Sequence, residues 1–307
     1  MFDILQYAFI QHALLAGSLV AVVAALMGYF LIVRGLTFAG HALPNIGFAG
    51  AACAVYQGLD PMIGMFTFTI AASIGIGLLG KKSNERDTAI GVIMTFALGL
   101  GLLFLSLYAG YAEQVYSILF GQIFGISQQD VLLTALVSVL TLILLILLFR
   151  PLLFSSFDPE VAEARGLPVH LLSIIFLILL AITVSLAVQV IGALLVFTLL
   201  VGPAATATRL TKSPYRALAL AIVLGVSYTC VGIYLAAENG VWPVSFFITA
   251  ISFGIYLPVR LLSPLWIGRR RTRKSCIHLA KMHKRPTQDE ISALEIPMPE
   301  HTSSSSH

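Results

Sequence analysis

VLLTALVSVLTLILLILLF, from Val131 to Phe149, lies between Asp130 and Arg150 and contains no charged residue. A helix that crosses a bilayer requires roughly 20 mostly apolar residues, and this stretch has about that length. Together with eight further apolar runs, this stretch predicts an all-α fold, a polytopic transmembrane helix bundle of about nine spans. The other eight apolar runs, each bounded by charges, Gly or Pro, are residues 12–33, 36–57, 62–80, 89–109, 169–189, 191–208, 215–236 and 244–265.

The composition agrees with a membrane protein. Of the 307 residues, 58% are hydrophobic and only 10% are charged, which is too apolar for a chain that must cover its core with polar surface. We predict one transmembrane domain over residues 1–267. Residues 268–307 are basic and then polar, and we predict a largely disordered cytoplasmic tail there.

The distribution of charge predicts the orientation of the chain. If the loop at Arg34 is inside, all 18 Lys and Arg residues fall on the cytoplasmic side. The positive-inside rule then places the N-terminus outside and the C-terminus in the cytoplasm, with nine spans. An eight-span alternative keeps the charges on the same side but begins inside and lacks the first crossing. Because the basic residues flank apolar runs, we expect lipid contact and no nucleic-acid partner. All charged residues in the outer segments are acidic: Asp3, Asp60, Glu113, Asp130 and Glu238.

Two segments between the predicted spans have helical signals of their own. The outer segment Glu113 to Asp130 is moderately apolar and interrupted by glycine, which suits an interfacial or re-entrant helix. The inner segment Phe154 to Pro168 has Asp158 in the N-cap position, Pro159 at the first helical position and a glycine stop, Gly166. We predict a short cytoplasmic helix there.

Gly75, Gly77 and Gly80 form a GxGxxG pattern that resembles a nucleotide-binding motif. That motif requires a strand before the glycines and a helix after them, whereas these lie inside an apolar span. Small residues that let helices approach closely explain the pattern better. The chain therefore has no visible nucleotide site, and any ATP would be bound by another subunit.

Polar side chains inside the spans are candidates for a transport pathway, because they are costly in lipid unless paired or facing a cavity. His41 and Asn45 are four residues apart and share one face of a helix. An imidazole nitrogen and an amide oxygen there could both bind a divalent ion, and a soft metal would prefer the nitrogen. Gln189 is a second candidate. For all three, hydrogen bonding between helices is the alternative role. No span carries Asp or Glu in its middle, which argues against a proton-coupled carrier and an intramembrane protease.

Three segments together resemble one protein family: Arg34 to Gly50 (RGLTFAGHALPNIGFAG), Phe157 to Leu167 (FDPEVAEARGL) and Val190 to Ala207 (VIGALLVFTLLVGPAATA). In the same order, they are similar to the permease subunits of bacterial ABC transporters for zinc, manganese or iron. The resemblance implies a multi-pass protein of the bacterial cytoplasmic (inner) membrane. It implies a transport subunit and not an enzyme, with no bound cofactor and only transient zinc or manganese.

The resemblance also implies partners. These are a second permease copy in a homodimer, cytoplasmic ABC ATPase subunits that hydrolyse ATP, and a periplasmic or lipid-anchored metal-binding protein. The predicted short helix would be the coupling helix that fits the ATPase. Its candidate contact residues are Asp158, Glu160, Glu163 and Arg165.

The chain departs from the family at one informative place. The family usually has an Asp in the second span and a His four residues later, where this chain has His41 and Asn45. Without a carboxylate, a divalent ion in low dielectric loses its main charge compensation. We therefore expect weaker metal retention, or a site that uses a His from each protomer. The other functions that the residues leave open are a gradient-driven carrier or channel that works alone, and a membrane scaffold.

Overall fold

Helices joined by short turns make up the computed structural model, which describes residues 7–79, 83–107, 121, 125–240 and 242–262. None of these residues lies in a strand. The helices up to Arg260 belong to one compact unit; in the second, Leu261–His307, only Leu261 and Leu262 are described. The helices are α1 Ala8–Val33, α2 Thr37–Tyr56, α3 Pro61–Leu79, α4 Ser83–Leu107, α5 Gln128–Phe157, α6 Pro159–Ala164, α7 Val169–Ile191, α8 Ala193–Leu210, α9 Pro214–Asn239 and α10 Val244–Leu262.

The predicted all-α bundle is confirmed, and each predicted span coincides with one long helix. Among the described residues, eight helices are long and apolar enough to cross a membrane. The remaining predicted span is α8, whose apolar part, Leu195–Leu210, is shorter. The number of crossings and the orientation of the termini stay predictions.

The largest difference from the predicted bounds is at α5. This helix continues through Arg150 and Pro151 and ends at Phe157, two turns beyond the predicted end at Phe149. A charged residue and a proline ended the apolar pattern, but they do not end the helix. Proline removes one backbone hydrogen bond, and transmembrane helices tolerate it where neighbouring groups compensate.

The predicted outer segment Glu113 to Asp130 is described only at Gly121 and from residue 125 onward, so its helical character lies outside the described residues. The predicted cytoplasmic tail, residues 268–307, also lies outside them.

The helices divide into an inner and an outer group. α2 packs against α3, α4, α7 and α8, while α1 packs against α5, α8 and α9. The most apolar window of α2 is 78% buried, compared with 17% in α4 and 22% in α5. The outer helices therefore keep apolar surface that lipid or another protein must cover.

Glycines allow several inner helices to touch through their backbones. A Cβ added to Gly50 on α2 would lie 2.2 Å from the carbonyl oxygen of Gly64 on α3, and one added to Gly64 would lie 2.1 Å from that of Gly50. Gly77, in the GxGxxG pattern, lies close to Ile174 on α7, as expected for helix packing. An added Cβ at Gly75 would meet nothing within 4 Å, and Gly80 lies outside the described residues.

Two tight turns depend on glycine conformation. Gly35 between α1 and α2 has φ +65°, and Gly192 between α7 and α8 has φ +95°. Both values fall in the region that L-residues other than glycine rarely adopt. The chain therefore breaks at Gly35 and Gly192, and these breaks let paired helices follow one another almost without a linker.

Candidate metal pathway and coupling helix

The first half of α2 carries an uncovered stripe on an otherwise buried helix. Phe38 and His41 are exposed and Asn45 is half-buried, whereas Gly40, Ala42, Leu43 and Pro44 between them are all buried. His41 and Asn45 are one turn apart, as the sequence predicted. The pair therefore faces away from the core of its own chain.

Side chains from two other helices border this stripe. The imidazole ring of His41 packs edge-on against the ring of Phe197 on α8, with 5.1 Å between the centroids. The Asn45 Nδ2 donates to the His41 backbone oxygen at 2.9 Å and lies 3.7 Å from the Met94 sulfur on α4. Sequence reasoning missed Phe197 and Met94, because only the tertiary packing of α4 and α8 brings them to α2.

The stripe carries two types of side chain that can bind a metal ion, an imidazole and an amide. Among the described residues, neither imidazole nitrogen of His41 nor Oδ1 of Asn45 takes part in a hydrogen bond. The same part of the chain has no group of three or more His, Cys, Asp or Glu side chains that could hold a metal ion. One copy therefore offers one nitrogen and one oxygen ligand, fewer than a divalent transition metal takes. Further ligands would have to come from water or from a second copy.

Gln189 lies away from this pair. The turn after α1 contacts the start of α7 through a 2.9 Å hydrogen bond from Arg34 to Ser173, so α2 and α7 begin at the same end of the bundle. His41 is near the start of α2, whereas Gln189 is about 30 Å along α7 at 1.5 Å per residue. The structure does not bring the three predicted pathway residues together.

The surroundings of Gln189 are polar. Its Nε2 lies 3.5 Å from Oδ1 of Asp130, and its Oε1 is buried with no hydrogen-bond partner in the residues that the structure describes. Asp130 also completes a capping box with Ser127, which donates to Oδ2 through its hydroxyl at 2.6 Å and its backbone N–H at 3.1 Å. The sequence assigned Asp130 to a loop, but the residue lies in the first turn of α5.

The short helix α6 forms as its local signals predict. The Asp158 carboxylate accepts from the Val161 backbone N–H at 3.1 Å, and Pro159 occupies the first helical position. The helix stops before Gly166, where the Leu167 N–H returns to the Ala162 oxygen at 3.1 Å. The predicted N-cap, first residue and stop are therefore all observed.

One face of α6 is attached to the bundle and the other is free. Ala162 is fully buried, whereas Glu160, Glu163 and Arg165 are exposed. The Arg165 guanidinium lies 5.4 Å from the centroid of the Phe154 ring, which fixes the end of the helix against α5. This arrangement leaves two carboxylates and a guanidinium on exposed residues of α6.

An all-helical bundle with eight helices of membrane-spanning length among the described residues is typical of a multi-pass membrane protein. A family model described as the ABC 3 transport family matches residues 6–263 of the chain. The chain belongs to this family, and it is a multi-pass bacterial membrane protein that acts as a transport subunit. Membership of an ABC family favours this function over a self-contained carrier or a scaffold.

Named relatives support the assignment. The chain is 35% identical to the manganese transport system membrane protein MntC of Listeria monocytogenes, over 76% of this chain and 83% of that protein. It is 32% identical to the manganese import system permease protein ScaB of Streptococcus gordonii, over 81% of this chain and 92% of that one. It is also 32% identical to a Haemophilus influenzae protein named "Probable iron transport system membrane protein", over 81% and 95%.

Solved structures share the fold. PsaBC from Streptococcus pneumoniae, solved in complex with Fab, superposes with a TM-score of 0.74 at 29% identity and covers 83% of this chain and 92% of that chain. A second solved ABC transporter chain, in an inward-facing conformation, has a TM-score of 0.62 at 18% identity and covers 81% and 85%. The second likeness concerns the fold alone.

Proposed function

We propose that this chain forms the translocation pathway of an ATP-driven importer for a divalent transition metal. Manganese is the first candidate, with zinc and iron next. The carrying observation is the extensive similarity to permeases named for manganese transport, together with an uncovered His41 and Asn45 on an inner helix. An amide oxygen with a single imidazole per copy suits Mn²⁺ better than Zn²⁺, which favours sites rich in His and Cys.

A homodimer would complete the metal site. Two copies that face each other through this stripe would supply two imidazoles and two amide oxygens, twice what one chain offers. No carboxylate would take part, so the metal would be held weakly and released readily. Weak retention is suited to a passage site, because a tightly bound ion would stay there.

The energy would come from a separate subunit. The exposed face of α6, with Glu160, Glu163 and Arg165, would dock onto a cytoplasmic ABC ATPase, and the outer ends of the helices would receive the metal from a periplasmic or lipid-anchored binding protein. The arrangement supports this division because Ala162 is the buried residue of α6, while Glu160 and Glu163 are exposed.

The decisive experiment is manganese uptake in cells that lack their own importer and express this chain with its ATPase and binding protein. The double variant His41→Ala with Asn45→Ala should reduce uptake to the background level, while the ATPase still co-purifies. His12→Ala, which removes an imidazole from α1 and leaves the stripe intact, is the matched control. Unchanged manganese uptake by the double variant would exclude the stripe from the pathway.

A further inference from the structure

A cavity of about 520 Å³ lies between α6 and the bundle, and Pro159 and Glu163 of α6 line it. Buried apolar residues, including Leu36, Ile76 and Leu177, form part of its wall, and exposed residues such as Glu163 and His170 line it too. Arg34, Arg86 and Ser173 contribute polar groups. The cavity is separate from the stripe, because neither His41 nor Asn45 lines it.

Each of the two arginines has an unused donor. The Arg34 Nη2 donates to Ser173 Oγ at 2.9 Å, but its Nη1 is buried and has no hydrogen-bond partner among the described residues. The Arg86 Nη2 donates to the Gly35 backbone oxygen at 3.3 Å, and its Nε is buried without a partner in the described part of the chain. A buried donor without an acceptor costs free energy, more so on a charged group.

The two guanidinium groups also lack a counter-charge in the described part of the chain. Arg34 lies over the Phe176 ring at 5.4 Å, and burial lowers its pKa to about 10, with a further contribution from the nearby positive charge of Arg86. Asp87 is next to Arg86 in sequence, but its buried Oδ1 has no partner among the described residues, and Asp87 does not line the cavity. Glu163 lines the cavity from α6 and is exposed, with no ion pair to either arginine.

We propose that this cavity binds one phosphate group, supplied by inorganic phosphate or by the headgroup of an anionic phospholipid. Arginine presents several N–H donors in a planar fork that matches phosphate oxygens. Two such forks meet here beside the Ser173 hydroxyl, which accepts from Arg34 and keeps its own hydrogen to donate. The cavity does not suit the transported metal, since two arginines repel a divalent cation.

A bound phosphate would connect four parts of the chain that line this cavity. Arg34 belongs to the turn between α1 and α2, Arg86 to the start of α4 and Ser173 to α7, and the cavity lies against α6. A bound phosphate neutralises both arginines and removes their mutual repulsion. It therefore stabilises the packing of α6 against the bundle. This proposal concerns an anion and holds whether or not the chain carries manganese.

The test uses the purified full-length chain. In detergent, inorganic phosphate is titrated while thermal unfolding is followed, and native mass spectrometry counts bound phosphate and phospholipid. In a second arm, nanodiscs of phosphatidylcholine receive graded fractions of phosphatidylglycerol.

Arg86→Gln and Arg34→Gln should each weaken phosphate or phosphatidylglycerol binding about tenfold, because each removes charge-assisted hydrogen bonds. Arg216→Gln, at an exposed arginine that does not line the cavity, should change nothing.

The two arms separate the sources of the phosphate. Saturation by inorganic phosphate in detergent identifies the free anion, whereas retention of phosphatidylglycerol alone identifies a lipid headgroup. Arg34→Gln could disturb packing because this side chain contacts Phe176. Ser173→Ala, which keeps both arginines and should weaken binding several-fold, is therefore measured with Arg86→Gln. The proposal is overturned if folded Arg86→Gln and Ser173→Ala proteins bind both ligands as the unsubstituted chain does.

Discussion

At the scale of single residues, the spacing of His41 and Asn45 was predictable but their surroundings were not. Helical periodicity places residues four apart on one face whatever else the chain does. Only the structure shows that this face is uncovered and that Phe197 and Met94 border it. Those contacts join residues far apart in the chain, and no local pattern encodes them.

The missing carboxylate gives a residue-scale prediction. His41→Asp together with Asn45→His restores the order that the family resemblance implies for this span. A carboxylate in low dielectric compensates the charge of a divalent ion, so we expect manganese to bind at least about tenfold more tightly. The measurement is manganese titration of the chain in nanodiscs, followed by electron paramagnetic resonance.

Asn45→His alone is the control for this exchange, because it adds an imidazole without adding a charge. We expect it to produce a smaller gain than the double exchange. Equal affinities for the unsubstituted chain and the double variant would mean that these positions do not meet the metal.

At the scale of elements, the local signals were reliable where a few neighbouring residues decide the outcome. The N-cap, proline and glycine stop of α6 interact within one or two turns, and the helix forms where they place it. The end of α5 was mispredicted for the converse reason. A helix continues through a charge and a proline when packing favours it, and packing is not local.

The exposed face of α6 leads to a prediction about coupling. Reversing both carboxylates with Glu160→Lys and Glu163→Lys should uncouple ATP hydrolysis from manganese uptake, because the face presented to an ATPase then changes sign. ATP hydrolysis and uptake are measured together in proteoliposomes that contain the ATPase and are supplied with the binding protein.

Glu238→Lys, an exposed acid at the far end of α9, is the matched charge reversal and should leave coupling unchanged. Glu160→Lys alone separates docking from the phosphate cavity, since Glu160 does not line that cavity. If the double reversal preserves both ATPase binding and coupling, α6 does not serve as the coupling helix.

Backbone contact between α2 and α3 supports a prediction about stability. Gly50→Ala would force the helices apart, because the new Cβ would lie 2.2 Å from the Gly64 oxygen. We expect a loss of about 1–3 kcal/mol, as in other overpacked interiors. Thermal unfolding in detergent provides the measurement.

The control for that substitution is Gly75→Ala, where the added methyl group meets nothing within 4 Å. Alanine favours a helix over glycine, so this variant should be neutral or slightly more stable. Equal unfolding temperatures for the two variants would contradict the proposed role of the Gly50 and Gly64 contact.

At the scale of the whole molecule, hydropathy located every long helix but could not arrange them. The nine apolar segments follow from the chemistry of lipid, which requires long apolar helices. The central position of α2 and the packing of α1 against α9 depend on which small residues meet, as at Gly17, where an added Cβ would approach Thr229 and Ile233 on α9. The sequence therefore predicts where the helices lie along the chain, but it does not predict which helices pack against each other.

The orientation of the chain can be tested directly. After its own cysteines are replaced, single cysteines at Tyr7, Leu59 and Ala164 are treated with a membrane-impermeant thiol reagent on intact cells. The nine-span prediction expects labelling at positions 7 and 59, with labelling at position 164 only after permeabilisation. Exclusion of reagent from position 7 alone would favour the eight-span alternative, and outside labelling of position 164 would contradict both.

The length of α5 has a mechanical consequence. Its 30 residues measure about 45 Å, which exceeds a hydrocarbon core of about 30 Å by several turns. One end contacts Gln189 through Asp130, and the other joins α6 through the single residue Asp158. A force applied to α6 therefore acts on one end of α5, and the other end of the same helix lies beside the break between α7 and α8.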